Sequence, residues 1–235
     1  MANWTSRQVG AYVVVTVPTS ERWRQNCYVV QHKISGEQAI IDPGNAADSI
    51  AEVVLHHGGQ LRHILLTHAH HDHVGAVAEL RRRFDIPCYL HAQDARLLRH
   101  APLYAFRFAG ERIEPAEGVC TFDPELGLRL GDAPIGMIHT PGHTAGSVCY
   151  VFPGIAFTGD TLMYRRVGRQ DLPGGDPTLL SQSIGRALDL LENESVLFPG
   201  HGRSWTVAEA RLWWRNGAEL LSAREDGTGR IDTSN

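Results

Sequence analysis

The sequence predicts an α/β (α+β) protein in which two sheets pack face to face and helices cover their outer sides. Three observations predict it: β-branched runs open the chain, helical and strand periods then alternate, and the same order, strands first and helices after, returns in the second half. With 235 residues, 43% hydrophobic and 20% charged, the chain can bury one large core, and it reads as a single domain over residues 1–235.

The first strands fall at 11–17 (AYVVVTV), 27–31 (CYVVQ) and 38–41 (QAII), each ended by turn or polar residues. A helical pattern follows at 46–57 (AADSIAEVVLHH), then a strand at 63–67 (HILLT), a helix at 74–84, a strand at 86–92 (IPCYLHA) and a helix at 93–100. Residues 100–118 keep neither period for long, and they carry Tyr104, Phe106 and Phe108 between prolines 102 and 115. That stretch reads either as a lid or apolar substrate wall, or as a packed connector. Strands return at 128–130, 135–138, 147–152, 155–158 and 195–199, with helices near 177–191 and 206–223. Trp213 and Trp214 are expected to pack the last helix onto the sandwich. The polar residues from about 225 to 235 are expected to be disordered.

The formal charge of −4 gives no basic excess, so neither nucleic acid nor an anionic membrane surface is an expected partner. Cys27, Cys88, Cys120 and Cys149 form no CxxC pair, which argues against a zinc ribbon or a redox dithiol. The opening MANWTSRQVG has no charged leader followed by an apolar run, and no stretch of about 18 apolar residues occurs, so a cytoplasmic protein is expected. The sequence carries no signal of oligomeric state.

The chemistry concentrates at THAHHDHVGA, residues 67–76. Thr67 ends the strand HILLT, so His68 and His70, two apart, can project to one side of a chain leaving a sheet edge, with Asp72 and His73 in the turn that follows. Imidazole nitrogens and carboxylate oxygens suit zinc and, less selectively, iron or manganese. A lone histidine is ordinarily solvated or a satisfied core residue, but HxHxDH straight after an apolar strand is a metal signal. His71 alternates out of the pattern, and His56, His57, His63, His91 and His100 lack ligand spacing; these are expected to be structural or exposed.

Three further stretches follow in order: HTPGHTAGS at 139–147, FTGDT at 157–161 and LFPGHG at 197–202. With NCYVV through AIIDPG at 26–44, the set resembles the metallo-β-lactamase superfamily over most of the chain, to about residue 205. The resemblance implies the four-layer αββα sandwich with two divalent metal ions, zinc first and iron or manganese as alternatives. It implies that His68, His70 and His143 hold one ion, that Asp72, His73 and His201 hold the other, and that Asp160 bridges both. The Pro-Gly pairs of TPGHT and FPGHG would fix one φ and free the next, turning each histidine back into the cleft. Asp42 and Thr67 are expected to partner ligating imidazoles, and His139 is expected not to be a ligand.

Two metals sharing a water lower its pKa from 15.7 to around 7, giving a hydroxide nucleophile at neutral pH, which Asp72 would orient. A thiolate leaves without much protonation, whereas an amide nitrogen needs a proton donor, and the motifs supply no obvious one. GRQDLPGGD at 168–176, followed by PTLLSQSIGRAL, resembles the short glyoxalase II-like hydrolases, which cleave S-lactoylglutathione and related thioesters. The expected function is therefore thioester hydrolysis on a small-molecule S-acyl thiol. A mononuclear iron persulfide dioxygenase is the alternative, and a lactone or other ester hydrolase of the same fold is the second. An aspartate at 160, where the commonest β-lactamases have cysteine, points away from antibiotic hydrolysis. Only residues 202–235 follow the last ligand, too few for the helical module with which longer relatives grip glutathione. Tyr164, Arg165 and Arg166, near Asp160 in sequence, either bind an anionic substrate tail or form a solvated basic loop.

Overall fold

A computed structural model describes residues 4–20, 22–123, 127–172 and 174–225, with side chains described as far as Gly217. The first half builds a seven-stranded sheet in simple order: β1 (Thr5–Val9), β2 (Tyr12–Pro18), β3 (Asn26–His32), β4 (Glu37–Ile41), β5 (Gln60–Leu65), β6 (Cys88–His91) and β7 (Cys120–Phe122). β1 to β4 form an antiparallel meander, and β4 to β7 run parallel. The parallel strands require crossovers, supplied by α1 (Ala47–His57), α2 (His71–Val74), α3 (Val77–Phe84) and α4 (Ala95–Tyr104).

A small hairpin, β8 (Arg129–Leu130) and β9 (Ala133–Pro134), leads to the second sheet. That sheet has the order β10 (Gly136–His139), β11 (Val148–Phe152), β12 (Ile155–Gly159), β15 (Val196–Pro199) and β16 (Trp205–Thr206). The hairpin β13 (Leu162–Met163) and β14 (Arg166–Val167) and helix α5 (Pro177–Leu190) lie between β12 and β15 in sequence, and α6 (Val207–Glu225) ends the described chain.

Side-chain alternation on the strands makes the layers. Along β2, Tyr12 and Val14 face the second sheet, where they join Tyr150, Phe152, Phe157 and Phe198; Val15 and Val17 face the other way, onto Ile50 of α1 and Leu80 of α3. Both faces are buried, which is why this strand reads as a nearly unbroken apolar run. A third cluster packs Ala156 and Leu197 of the second sheet against Ile184 and Leu188 of α5 and Val207 and Ala210 of α6, with Trp213 and Trp214 alongside. Helix, sheet, sheet and helix give the αββα sandwich.

Some expectations shift. β1 carries polar, exposed residues except for Val9, which packs against the core between the sheets, and it pairs along its whole length with β2, so its apolar signal is weak. β5 begins at Gln60 and ends at Leu65, leaving Thr67 beyond the strand. The helix expected at 74–84 is two helices: Gly75 packs against the Asn45 side chain, and the Ala76 N–H donates to the Pro43 carbonyl at 3.1 Å, breaking the run. α4 continues through Pro102 and widens into a π-helical turn at Ala105–Ala109. The expected disorder near the C-terminus falls on residues outside the described ones, apart from Glu225, which ends α6. All four cysteines are free thiols. No helix among the described residues is long and apolar enough to cross a membrane.

Candidate metal centre

Every candidate ligand of the four motifs lies beyond the end of a strand. His68 and His70 follow β5, His143 lies in the loop between β10 and β11, Asp160 follows β12, and His201 lies between β15 and β16. Asp72 and His73 are on α2, which starts immediately after His70. The structure brings these seven side chains together. Donor atoms of His68, His70 and His143 lie within 4.8 Å of one another, and so do those of Asp72, His73 and His201. Asp160 stands between the two triads: its Oδ2 is 3.7 Å from His143 Nε2 and 3.5 Å from His201 Nε2, and its Oδ1 is 3.6 Å from His73 Nε2.

Hydrogen bonds at the far side of the rings decide which nitrogen faces inward. His143 Nδ1 donates to the Arg169 carbonyl at 2.8 Å and His201 Nδ1 to the Trp23 carbonyl at 2.8 Å; a carbonyl only accepts, so each Nδ1 carries the hydrogen. His73 Nδ1 donates to Asp42 Oδ2 at 3.0 Å. Thr67 Oγ1 donates to Asp42 Oδ2 at 2.6 Å and so accepts from His68 Nδ1 at 3.0 Å. In the neutral rings all four Nε2 atoms are lone-pair acceptors, and those of His73, His143 and His201 face acceptor carboxylates. His68 Nε2, His73 Nε2, His143 Nε2 and Asp160 Oδ1 are buried without a hydrogen-bond partner. Native interiors rarely leave such groups unpaired, and a divalent cation in each triad would satisfy all four. The residues present fit metal ions.

The electrostatics agree. Burial alone would keep His73 uncharged, but Asp72, Asp160 and Asp42 outweigh it and lift its pKa to about 9. His201 is raised too, because Asp160 and Asp72 overcome its burial. Burial depresses His70 to about 3, with His143 adding to the fall. Asp72 and Asp160 stay below the usual carboxylate range, since the nearby imidazoles outweigh burial. Without cations, a proton on His73 is favoured in their place, and His201 is pushed in the same direction.

The supporting residues are only partly those the sequence pointed to. Asp42 and Thr67 do hold imidazoles, and the Thr67 N–H also donates to Asp42 Oδ1 at 2.7 Å. Asp94, which no motif marks, is buried and accepts from the Ala69 N–H (2.9 Å), the Thr144 hydroxyl (2.8 Å) and the Gly146 N–H (2.7 Å). It ties the loop of His68 and His70 to the loop of His143. Gly142 has φ +131° as the Pro-Gly reading requires, but Gly200 has no positive φ; it is needed because a β-carbon there would meet Asp160 Oδ1 and His73 Cε1. His139 donates from Nε2 to the Ala145 carbonyl and stacks on His91, away from the triads.

The triads open into a cleft of about 410 Å³ whose lining includes Trp23, Leu97, Tyr104, Phe108, Arg166 and Arg169. Arg166 is therefore at the cleft, whereas Tyr164 and Arg165 line a separate pocket with Trp205 and Trp213. The two-residue hairpin strands β13 and β14 reverse the chain between Met163 and Arg166 and send successive side chains to different sides. Of the structural and exposed places expected for it, His71 takes the structural one. It is buried at the cleft, its ring set edgewise on Trp23 at 5.7 Å. Its alternation out of HxHxDH excluded it from the triads but not from the cleft wall.

A four-layer sandwich with a paired histidine and aspartate cluster at the strand ends defines a metallo-hydrolase scaffold. The chain belongs to the metallo-beta-lactamase superfamily, whose profile matches residues 21–201. It is 32% identical to the hydroxyacylglutathione hydrolase GloC of Haemophilus influenzae over 193 residues, covering 80% of this chain and 91% of that one. Among solved structures, BLEG-1 B3 metallo-beta-lactamase superposes with a TM-score of 0.73 at 36% identity, covering 83% of this chain and 94% of that one. TTHA1623 in a di-iron-bound form superposes with a TM-score of 0.73 at 37% identity, covering 82% and 95%.

Proposed function

We propose that the protein is a dinuclear metal-dependent hydrolase of thioesters. The observation that carries the metal part is the set of buried, partnerless Nε2 atoms facing two carboxylates, which calls for cations rather than hydrogen-bond donors. His68, His70 and His143 would hold one ion, Asp72, His73 and His201 the second, and Asp160 both. When bound, such ions supply Lewis acidity, polarising a carbonyl and acidifying water toward neutral pH. Zinc suits the donor set, and the di-iron form of a relative at 37% identity supports iron as the competing metal.

The chain's own groups then do the rest. Asp72 Oδ2 lies 3.4 Å from His201 Nε2 and 3.8 Å from His73 Nε2, which fixes the carboxylate and leaves Oδ1 to orient the attacking water and take its proton. The departing group decides the substrate. Among the described residues, and apart from the candidate ligands, the cleft lining holds no carboxylic acid, and burial first of all lowers the pKa of His71, so a leaving group that needs no proton is favoured. A thiolate is such a group. The name of the Haemophilus relative supports the same bond.

The name of BLEG-1 makes β-lactam hydrolysis the second reading, against the inference drawn from an aspartate at 160. One experiment separates them. Protein purified without added metal is assayed for bound metals, then for thiol release from S-D-lactoylglutathione and simple acyl thioesters, beside a chromogenic cephalosporin. About two ions per chain with thiol release supports the proposal. Cephalosporin turnover without thiol release overturns it.

A further inference from the structure

We propose that the cleft selects amphipathic thioesters, with a bulky apolar acyl group on one side of the scissile bond and an anionic group on the thiol side; this rests on the thioesterase reading above. The apolar half comes from the first part of the chain. Trp23, Leu97, Tyr104 and Phe108 line the cleft beside His70 and His71. Tyr104 and Phe108 stack with centroids 5.8 Å apart, yet Phe108 stays 45% exposed. Large aromatic surface left open beside a reactive centre marks a binding wall rather than a core.

The local backbone is arranged to keep that wall in place. The π-helical turn at Ala105–Ala109 inserts an extra residue into the helical path and so re-aims Phe108. Arg22 latches it: its guanidinium donates to the Phe108 carbonyl at 3.2 Å and the Ala109 carbonyl at 3.1 Å while stacking over Trp23 at 5.0 Å. An irregular segment bonded this way from a distant loop is a fixed surface.

Charge supplies the other half. Arg166 is exposed at the cleft and its side chain bonds only to Met163 Sδ, with no carboxylate partner among the described residues. Arg169, by contrast, is already paired with Asp171 at 2.7 Å and 2.9 Å. A free guanidinium at the rim fits an anion. The rim is also where a thiol must depart into water, so the anion belongs to the thiol and the apolar group to the acyl side.

The test uses metal-loaded protein and thioesters of 3-mercaptopropionate carrying acetyl, butyryl or hexanoyl groups, each compared with its methyl ester. The expected kcat/KM rises from acetyl to hexanoyl by on the order of tenfold or more. Phe108→Ala is expected to lower the hexanoyl-to-acetyl ratio about tenfold, and Arg166→Gln to lower the acid-to-ester ratio by a similar factor. The thioether S-hexyl-3-mercaptopropionate, which cannot be cleaved, is expected to bind by calorimetry and to weaken in both variants. If no thioester releases thiol, the thioesterase reading fails. Turnover with a flat chain-length series, or ratios that neither variant changes, overturns this inference alone.

Discussion

Gly200 has no room for a β-carbon, because the added atom would press on Asp160 Oδ1 and lie 2.7 Å from His73 Cε1. Gly200→Ala is therefore expected to fold but to push the carboxylate out from between the triads, lowering metal stoichiometry measured by elemental analysis. Asp42 offers a cleaner probe of the outer contacts. Its φ of +50° suits asparagine as well as aspartate, so Asp42→Asn keeps the backbone but turns an acceptor toward the His73 and Thr67 donors into an N–H. The expected loss in metal affinity is about 10- to 100-fold by competition with a chromophoric chelator. The pH dependence follows from His73. Its folded pKa of about 9 exceeds the ordinary 6.5, so its contribution to the metal-free fold is fully present below pH 6.5 and fades as pH rises through 9. Melting temperature of chelator-treated protein should fall over that window, while metal affinity rises because the same proton competes with the cation. Parallel curves for the two forms would contradict this. At this scale the candidate ligands His68, His70, Asp72 and His73 were legible because HxHxDH is local in sequence; the places of His71 and Asp94 were not, because they depend on segments brought close only by folding.

Single elements repeat that division. β2 and β3 were readable because both faces are buried, whereas β1 is held mainly by backbone pairing and sets only Val9 against the core, too little for a side-chain pattern. The break between α2 and α3 was hidden because its cause is Asn45 and Pro43, some thirty positions away in the chain. Asp94 shows how one position between two elements governs the centre. It lies at the start of α4, and its carboxylate joins Ala69, between His68 and His70, to Thr144 and Gly146, just after His143. Asp94→Asn would set an amide N–H against one of these donors, for a cost of about 1–3 kcal/mol in denaturant titrations. Its sharper effect should be on the triad: affinity for the first ion should drop while unrelated elements keep their protection in hydrogen exchange. A stability loss with unchanged metal affinity would reduce Asp94 to a structural tie.

Across the whole molecule, the site is shared. The first half gives His68, His70, Asp72 and His73, and the second gives His143, Asp160 and His201. The halves are also sewn together near the site, through Asn26 Nδ2 to the Gly202 carbonyl at 2.8 Å, Tyr28 Oη to the Pro199 carbonyl at 2.5 Å, and the Val148 N–H to the Thr67 carbonyl at 2.9 Å. The order of the four motifs announced that such a shared centre exists, but no spacing rule could show which backbone groups close it across 176 residues. Cations binding both halves stabilise the folded chain by the logarithm of their excess over Kd, about 2.7 kcal/mol at a hundredfold excess. Chelation should therefore lower the melting temperature. The bridging place of Asp160 makes a further demand. Because it reaches His143 of one triad and His73 and His201 of the other, Asp160→Ala should weaken both ions, whereas His201→Ala should weaken chiefly the second and leave about one tightly held ion per chain. Titration of each variant followed by calorimetry distinguishes the cases. Two independent sites, with Asp160→Ala costing only one, would mean that the halves do not share a centre through this carboxylate.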